Sequence, residues 1–423
     1  MKPGFYTIMA AQFFSSLADN ALFVAAVELL RASGAHGWQE AALVPMFALF
    51  YVVLAPWVGA FADARPKGQV MFISNAVKVV GCVAMLLGSH PLLAYAVVGL
   101  GAAAYSPAKY GILTELLPPS QLVKANGWIE GLTISSIILG VLLGGQLVGP
   151  ALSSLLMQVD VPFVDLGITT APEVAVATLM GVYALAAAIN LRIPDTGVQM
   201  RPMPRNKLAL LPDFWQCNMR LWRDRLGQIS LATTTLFWGV SGNMRYIVLA
   251  WAAAALHYST AQAASLVGVV AIGTAVGAIY ASMRVRLDRA TGVMPLGMLM
   301  GALVICMVFI DSLWVAVPFL IGMGALGGYI VVPMNALLQH RGHNLMGAGR
   351  SIAVQNFNEQ ACILGLGLLY SAATGMGLSA FGAIALFGAV VVLSMALVQL
   401  WHGYNLRHHA AEVQSLLHIA RKE

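Results

Sequence analysis

Long apolar stretches separated by short polar segments run along the whole chain. Twelve of them reach the length of a membrane-spanning helix, which needs about 20 mostly apolar residues to cross a hydrocarbon core of about 30 Å. The predicted spans are 5–30, 40–62, 69–88, 91–117, 121–150, 174–192, 228–256, 260–282, 291–311, 314–339, 345–373 and 378–404. This pattern predicts an all-α integral membrane protein.

The composition points the same way. Hydrophobic residues make up 59% of the 423 positions and charged residues only 9%, whereas a soluble domain carries about 25% charged residues. The net charge of +6 requires no nucleic-acid partner, because basic loops suit the anionic lipid of the inner leaflet.

Lys and Arg are distributed unevenly between the loops. Most of the 23 lie in the termini and the even-numbered loops, while the odd-numbered loops hold only Arg31. In membrane proteins the cytoplasmic loops carry the excess of Lys and Arg. We therefore expect both termini to lie in the cytoplasm.

The segment 193–227, rich in Pro and Arg, divides the twelve spans into six and six. Within it, residues 208–225 mix Leu, Phe and Trp with Arg, which fits either a helix on the membrane surface or a solvated linker. The motifs "ANGWIE" (125–130) and "VQNFNE" (354–359) each place an aromatic residue two positions before a glutamate. Two six-helix halves in parallel repeat are the architecture of major facilitator transporters. The expected parts are an N-terminal half (1–192), a cytoplasmic linker (193–227), a C-terminal half (228–404) and a cytoplasmic tail (405–423).

The loop "GAFADARPKG", residues 59–68, also indicates this superfamily. It resembles the signature loop of the major facilitator superfamily, in which an acidic residue, here Asp63, meets a helix end and nearby basic residues at a cytoplasmic gate. Pro66 stands where a glycine is usual. Glu115, close to the cytoplasmic end of span 91–117, is expected to belong to the same gate.

Several charged residues fall inside predicted spans instead of loops. They are Asp19, Lys78, Lys109, Glu130, Arg245, Arg350 and Glu359. Such groups face the bundle interior and have partners, because an unpaired charge in lipid costs several kcal/mol. By helical rise, Lys109 and Glu130 lie about 12 and 13 Å from the cytoplasmic side, so we expect them to pair. Asp19 and Arg245, at about 21 and 25 Å, are expected to pair across the two halves, whereas Lys78 has no evident partner.

Together these groups favour a substrate that carries both charges. Arg and Lys suit a phosphate, and a carboxylate suits an ammonium group. A zwitterionic phosphodiester head group would satisfy both sets. The surrounding spans are rich in Met, Leu, Ala and Gly, which suits an acyl chain better than a sugar.

The runs "AQFFSSLADNALF", "AAAYSPAKYGILTEL", "LVKANGWIE", "LFWGVSGNMRYIVLAW" and "MGAGRSIAVQNFNE" resemble the bacterial lysophospholipid transporter family. The resemblance covers both halves. It implies a flippase that moves lysophosphatidylethanolamine and lysophosphatidylglycerol from the outer to the inner leaflet of the inner membrane. There, a cytoplasmic acyltransferase with acyl carrier protein synthetase activity re-acylates them.

The same resemblance assigns the head-group contacts by motif. They are Asp19 and Asn20 in "ADN", Lys109 in "PAKYG", Glu130 in "KANGWIE", Arg245 in "MRY", and Asn358 and Glu359 in "NFNE". No cofactor and no metal are expected.

Two other functions fit parts of the pattern. A proton-coupled exporter of amphipathic drugs would use Asp19 or Glu359 as a proton site, and it stays the alternative. A membrane-embedded acyltransferase is disfavoured because no His is followed by four residues and an Asp. The sequence also has no phosphate-binding loop of the P-loop type, so we do not expect an enzyme.

Overall fold

The computed structural model describes residues 3–34, 37–158, 168–258 and 260–422. In these ranges the regular structure is helical throughout. The α-helices are α1 Pro3–Ala32, α2 Gly37–Val53, α3 Ala55–Asp63, α4 Lys67–Leu86, α5 Pro91–Leu116, α6 Pro119–Val148, α7 Pro150–Met157, α8 Ala171–Asn190, α9 Leu210–Arg223, α10 Gly227–Ala255, α11 Thr260–Arg284, α12 Pro295–Cys306, α13 Leu313–Met346, α14 Ala348–Gly375, α15 Ala380–His408 and α16 Ala410–Lys422. Short 3-10 helices cover Lys207–Ala209, Leu287–Val293 and Met307–Phe309.

Within the described chain, nine helices are long and apolar enough to cross a membrane, or ten if the bent pair α2 and α3 forms one span. The predicted spans 228–256 and 345–373 are helices α10 and α14, which do not reach that apolarity because they carry the polar motifs "GNMRY" and "VQNFNEQ". The all-α membrane fold is confirmed, and the count of twelve spans stays a prediction.

The second predicted span is broken rather than straight. Helices α2 and α3 meet at Leu54 with a bend of 63°. Pro56, in the first turn of α3, has no N–H for the carbonyl one turn earlier, and its ring would collide with that carbonyl in a continuous helix. Pro56 thus favours a break at this point, which the apolar pattern alone does not reveal.

Packing divides the chain into two compact units. Unit 1 comprises Met1–Leu116, Ser135–Phe214 and Ala348–Ala353, and unit 2 comprises Leu117–Ile134, Trp215–Gly347 and Val354–Glu423. The division follows packing instead of chain order, so the boundaries of the predicted halves stay a prediction.

In unit 1, α1 packs against α6 at backbone distance. A Cβ atom on Gly140 would lie 2.6 Å from the carbonyl oxygen of Leu17, and one on Gly144 would lie 2.7 Å from that of Ala21. Only glycine allows helices to approach this closely. The contact holds α1, which carries Asp19, firmly in the unit.

The segment 208–225 contains helix α9. Its buried face consists of Leu210, Phe214, Cys217 and Leu221, spaced at helical intervals. Arg220 and Arg223 are exposed. The helix is amphipathic, and its location on the membrane surface stays a prediction.

Candidate functional site

A buried ion pair lies in unit 1, where α1, α4 and α8 meet. Lys78 Nζ lies 2.8 Å from Asp19 Oδ2, and the hydroxyl of Tyr183 donates a hydrogen bond of 2.7 Å to Asp19 Oδ1. Lys78 also donates to Ser15 Oγ over 3.0 Å. The Lys78 side chain is 1% exposed and that of Asp19 is 19% exposed. Asp19 is therefore the member of the pair that a ligand can reach.

Aromatic rings complete the surroundings of the ammonium group. Lys78 Nζ lies 5.2 Å from the ring centroid of Tyr105 and 5.4 Å from that of Tyr183, distances at which a cation is attracted to the ring face. The sequence did not indicate which residue is the partner of Lys78. Its partner lies 59 positions away on α1, and the packing of α1 and α4 around α8 brings the two together.

Asn20, which follows Asp19 in the motif "ADN", and Arg245, the expected partner of Asp19, are not members of the ion pair formed by Asp19 and Lys78. The side chain of Asn20 donates to the Ser16 carbonyl on its own helix over 2.8 Å. Asp19 belongs to unit 1 and Arg245, exposed on α10, belongs to unit 2. The pair of Asp19 and Arg245 stays a prediction.

A second cluster of charges, which we call the Asp63 cluster, comprises Asp63, Lys67, Glu115, Asp213 and Arg350 in unit 1. Lys67 Nζ lies 3.2 Å from Asp63 Oδ1 and 3.1 Å from Glu115 Oε1. Arg350 bridges two acids, with Asp63 Oδ2 at 3.3 Å and Asp213 Oδ2 at 2.9 Å. The side chains of Asp63, Lys67 and Glu115 are each less than 8% exposed.

Asp63 also accepts two backbone hydrogen bonds at the start of α14. Gly349 N lies 2.6 Å from Asp63 Oδ1 and Arg350 N lies 3.1 Å from Oδ2. The first N–H groups of a helix have no partner in the helix and carry a partial positive charge, so a carboxylate is stabilised there. Pro66 is the N-cap of α4 at φ −53°, which its ring permits. The predicted gate residues Asp63 and Glu115 therefore share Lys67, and their role as a gate stays a prediction.

Lys109 lies on α5 in unit 1 and is 9% exposed. Its Nζ atom lies 4.1 Å from the ring centroid of Tyr110. Glu130, on α6, belongs to unit 2. The predicted pair of Lys109 and Glu130 stays a prediction.

Unit 2 contains two buried carboxylates that act on each other. Glu130 is 4% exposed and Glu359 is 7% exposed, and they are close enough for electrostatic interaction. Glu359 Oε1 accepts a hydrogen bond of 2.7 Å from Gln355, which also donates to Asn335 over 3.0 Å. Two carboxyl groups in one low-dielectric region do not readily ionise together, so a proton on one of them or a cation near both is favoured.

One turn before Glu130, the side chains of Asn126 and Gln339 exchange two hydrogen bonds, of 2.8 and 2.9 Å. Both amides are buried. This pair connects α6 to α13 and so holds the turn of α6 that precedes Glu130 against α13. Sequence reasoning missed it, because a single amide in an apolar helix does not indicate its partner 213 positions away.

The side-chain amide of Asn358 is hydrogen-bonded to residues of helix α9. Its amide donates to Asn218 Oδ1 over 2.9 Å and to the Val354 carbonyl over 2.8 Å, and it accepts from Trp222 Nε1 at 3.3 Å. A head group would have to replace these bonds. Its assignment as a head-group contact stays a prediction.

The Major Facilitator Superfamily model matches residues 8–358. The chain belongs to the major facilitator superfamily. It is therefore a multi-pass membrane protein. It is 38% identical over 378 residues to the Lysophospholipid transporter LplT of Yersinia enterocolitica, covering 89% of each chain. It is also 38% identical to the Lysophospholipid transporter LplT of Salmonella arizonae, covering 94% of this chain and 95% of that one. Within the superfamily, it belongs to the same family as these proteins.

Solved superfamily structures share the fold. The crystal structure of the human organic anion transporter MFSD10 (TETRAN) superposes with a TM-score of 0.72 at 15% identity, over 94% of this chain and 100% of that one. At this identity the likeness concerns the fold alone.

Proposed function

We propose that this protein transports lysophospholipids across a bacterial inner membrane. The observation that carries the proposal is a set of buried charged residues of both signs on the helices of this protein. Its family includes proteins named lysophospholipid transporters. A lysophospholipid head group with an amine and a phosphate matches both signs, and its single acyl chain can remain in lipid.

The pair of Asp19 and Lys78 supports this choice of head group. Because Lys78 already neutralises Asp19, an ammonium group gains little from Asp19 alone. A zwitterion brings its own phosphate together with the ammonium group that approaches Asp19, so its arrival adds no net charge to the neutral pair. Lys78 is fully buried and acts here by positioning Asp19, whereas Asp19 is reachable.

Glu130 and Glu359 provide a second site for the amine. When both carboxyl groups are ionised, an ammonium group near them relieves their repulsion, as a proton on one of them also does. We infer that the head group first engages Asp19 and Arg245 and then moves toward Lys109, Glu130 and Glu359. In this scheme the lipid enters laterally from the outer leaflet, the two predicted halves rock, and the head group arrives at the inner leaflet for re-acylation by a cytoplasmic acyltransferase.

The Asp63 cluster supports a gate in this scheme. It ties the first residues of α14 to α3 and α5 through buried ion pairs and backbone hydrogen bonds. Passage of a lipid head group past the Asp63 cluster requires these contacts to break. Asp63 and Glu115 would then control access and would not bind the lipid.

The experiment is a flipping assay in proteoliposomes with fluorescent lysophosphatidylethanolamine and its diacyl counterpart, each with and without a proton gradient. We expect the lysolipid to move and the diacyl lipid to stay. A proton-coupled drug exporter predicts instead movement of amphipathic drugs that stops when the gradient collapses, with no preference for lysolipid.

A further inference from the structure

Helices α11 and α13 of unit 2 pack with their backbones in contact. A Cβ atom on Gly277 would collide with the carbonyl of Ala325, and one on Gly273 with that of Ile321. Gly324 and Gly328 meet the backbone of α11 in the same way. Each helix thus contributes two glycines spaced four residues apart, the arrangement that permits the closest helix contact in membranes.

A groove of about 350 Å³ runs along the contact between these two helices. We call it the α11–α13 groove. Its floor consists of Gly277, Gly322 and Ala325, and its walls include Val276, Tyr280 and Tyr329. From Gly322 to Tyr329 the groove is about 10 Å long by helical rise. It is an open apolar trough, and the rings of Tyr280 and Tyr329 lie against each other with their centroids 5.8 Å apart.

The groove opens on a face of large apolar side chains. Val276 is 54% exposed, Tyr280 is 50% exposed, and their neighbours Ile272 and Met283 are 52% and 68% exposed. Both helices are long and apolar enough to cross a membrane. A face of large exposed apolar side chains on membrane-crossing helices suits contact with acyl chains.

The charge at one end of the groove restricts the occupant further. Arg284 ends α11 one turn beyond Tyr280, with its guanidinium carbon 5.7 Å from the Tyr280 ring centroid. Arg289 follows on the surface, while Arg286 is paired with Asp288 at 3.2 Å. Guanidinium groups bind phosphate in a fork geometry, and the cytoplasmic leaflet carries the anionic lipids.

We propose that the α11–α13 groove binds one acyl chain of an anionic diacyl phospholipid of the cytoplasmic leaflet, with its phosphate on Arg284. The second acyl chain lies in the surrounding bilayer. This lipid is a resident ligand and not the transported molecule, so the inference is independent of the transport proposal.

Photo-cross-linking tests the site. Phosphatidylglycerol with a diazirine in one acyl chain is added to the purified protein in phosphatidylethanolamine nanodiscs, and labelled peptides are mapped by mass spectrometry. We expect label in residues 272–284 and 321–329. Gly322→Leu fills the groove without overlap, because nothing lies within 4 Å of a Cβ atom placed there. Gly268→Leu on α11, which is equally open, is the matched control.

Labelling of these two segments falls about tenfold in Arg284→Gln, the change expected for the loss of one charge-assisted contact. It falls in Gly322→Leu because leucine occupies the groove, and it is unchanged in Gly268→Leu. Thermal unfolding of each variant shows that it is folded. Equal labelling in the two glycine variants overturns the groove as the site. Equal labelling by a phosphatidylethanolamine probe overturns the role of Arg284, and stronger labelling by a lysophosphatidylglycerol probe overturns the resident diacyl lipid.

Discussion

Asp19 Oδ2 and Lys78 Nζ, on α1 and α4, lie 2.8 Å apart with the lysine buried. Each charge is stabilised by the other in a region that neither could occupy alone. The pair therefore contributes to folding as well as to the proposed transport, and variants can separate the two contributions.

The first prediction concerns Lys78→Met. It leaves the Asp19 carboxylate without its ammonium partner, a change that costs about 3–5 kcal/mol for a buried pair. We expect a lower thermal unfolding temperature in detergent. Lys124→Met, at an exposed position on α6, is the control and should unfold like the parent protein.

The double variant Asp19→Asn with Lys78→Met removes both charges. We expect it to recover most of the lost stability, because no uncompensated charge remains, and to stay inactive in lysolipid transport. If the double variant unfolds at the same temperature as Lys78→Met, the pair does not account for the stability of this region.

Tyr183→Phe removes a single hydrogen bond to Asp19 while it preserves the ring. A hydrogen bond to a charged group contributes about 1.5–3 kcal/mol, so a measurable decrease in the unfolding temperature is expected. Tyr6→Phe, where the tyrosine is 62% exposed, should change nothing. Equal behaviour of both variants would show that the Tyr183 hydroxyl does not support Asp19.

Asp63→Asn weakens the proposed gate. The amide keeps one acceptor atom for the N–H groups of α14 and loses the charge that attracts Lys67 and Arg350. Weakening these contacts by about 1.5–3 kcal/mol lowers the population of the arrangement in which they are formed by about tenfold to a hundredfold. Labelling of a cysteine introduced at Gly111, which lies beside Ala348, should become faster. Asp195→Asn, an exposed site, is the control, and unchanged labelling in Asp63→Asn would contradict the gate.

Asn358→Ala distinguishes a structural role from a head-group contact. Loss of the bonds to Asn218 and Trp222 should loosen α9, so that trypsin cleaves faster after Arg220 and Arg223. If cleavage is unchanged and the apparent lysolipid affinity falls instead, Asn358 contacts the head group as its motif implies.

The helices were predictable because hydropathy and helical length are local properties of the chain. The pairing of charges was not. Helical rise gives the height of Lys78 but not its direction around α4, and the flexible lysine stem covers differences in height. Arg350 and Asp63 are 287 positions apart. They meet because the first N–H groups of α14 bind the Asp63 carboxylate, which the sequence does not reveal. Asp63 was found because the signature loop assigns it a role, whereas Lys67 and Asn126 lie inside motifs that do not indicate what either residue contacts.

The most direct test of lysophospholipid transport is the rate at which fluorescent lysophosphatidylethanolamine leaves the outer leaflet of proteoliposomes, with Asp19→Asn and Arg245→Gln as the decisive variants. We expect the parent protein to accelerate this movement far above protein-free vesicles, and each variant to return it to near that background while it remains folded. A parent protein no faster than empty vesicles, or variants as fast as the parent, would contradict transport through these residues.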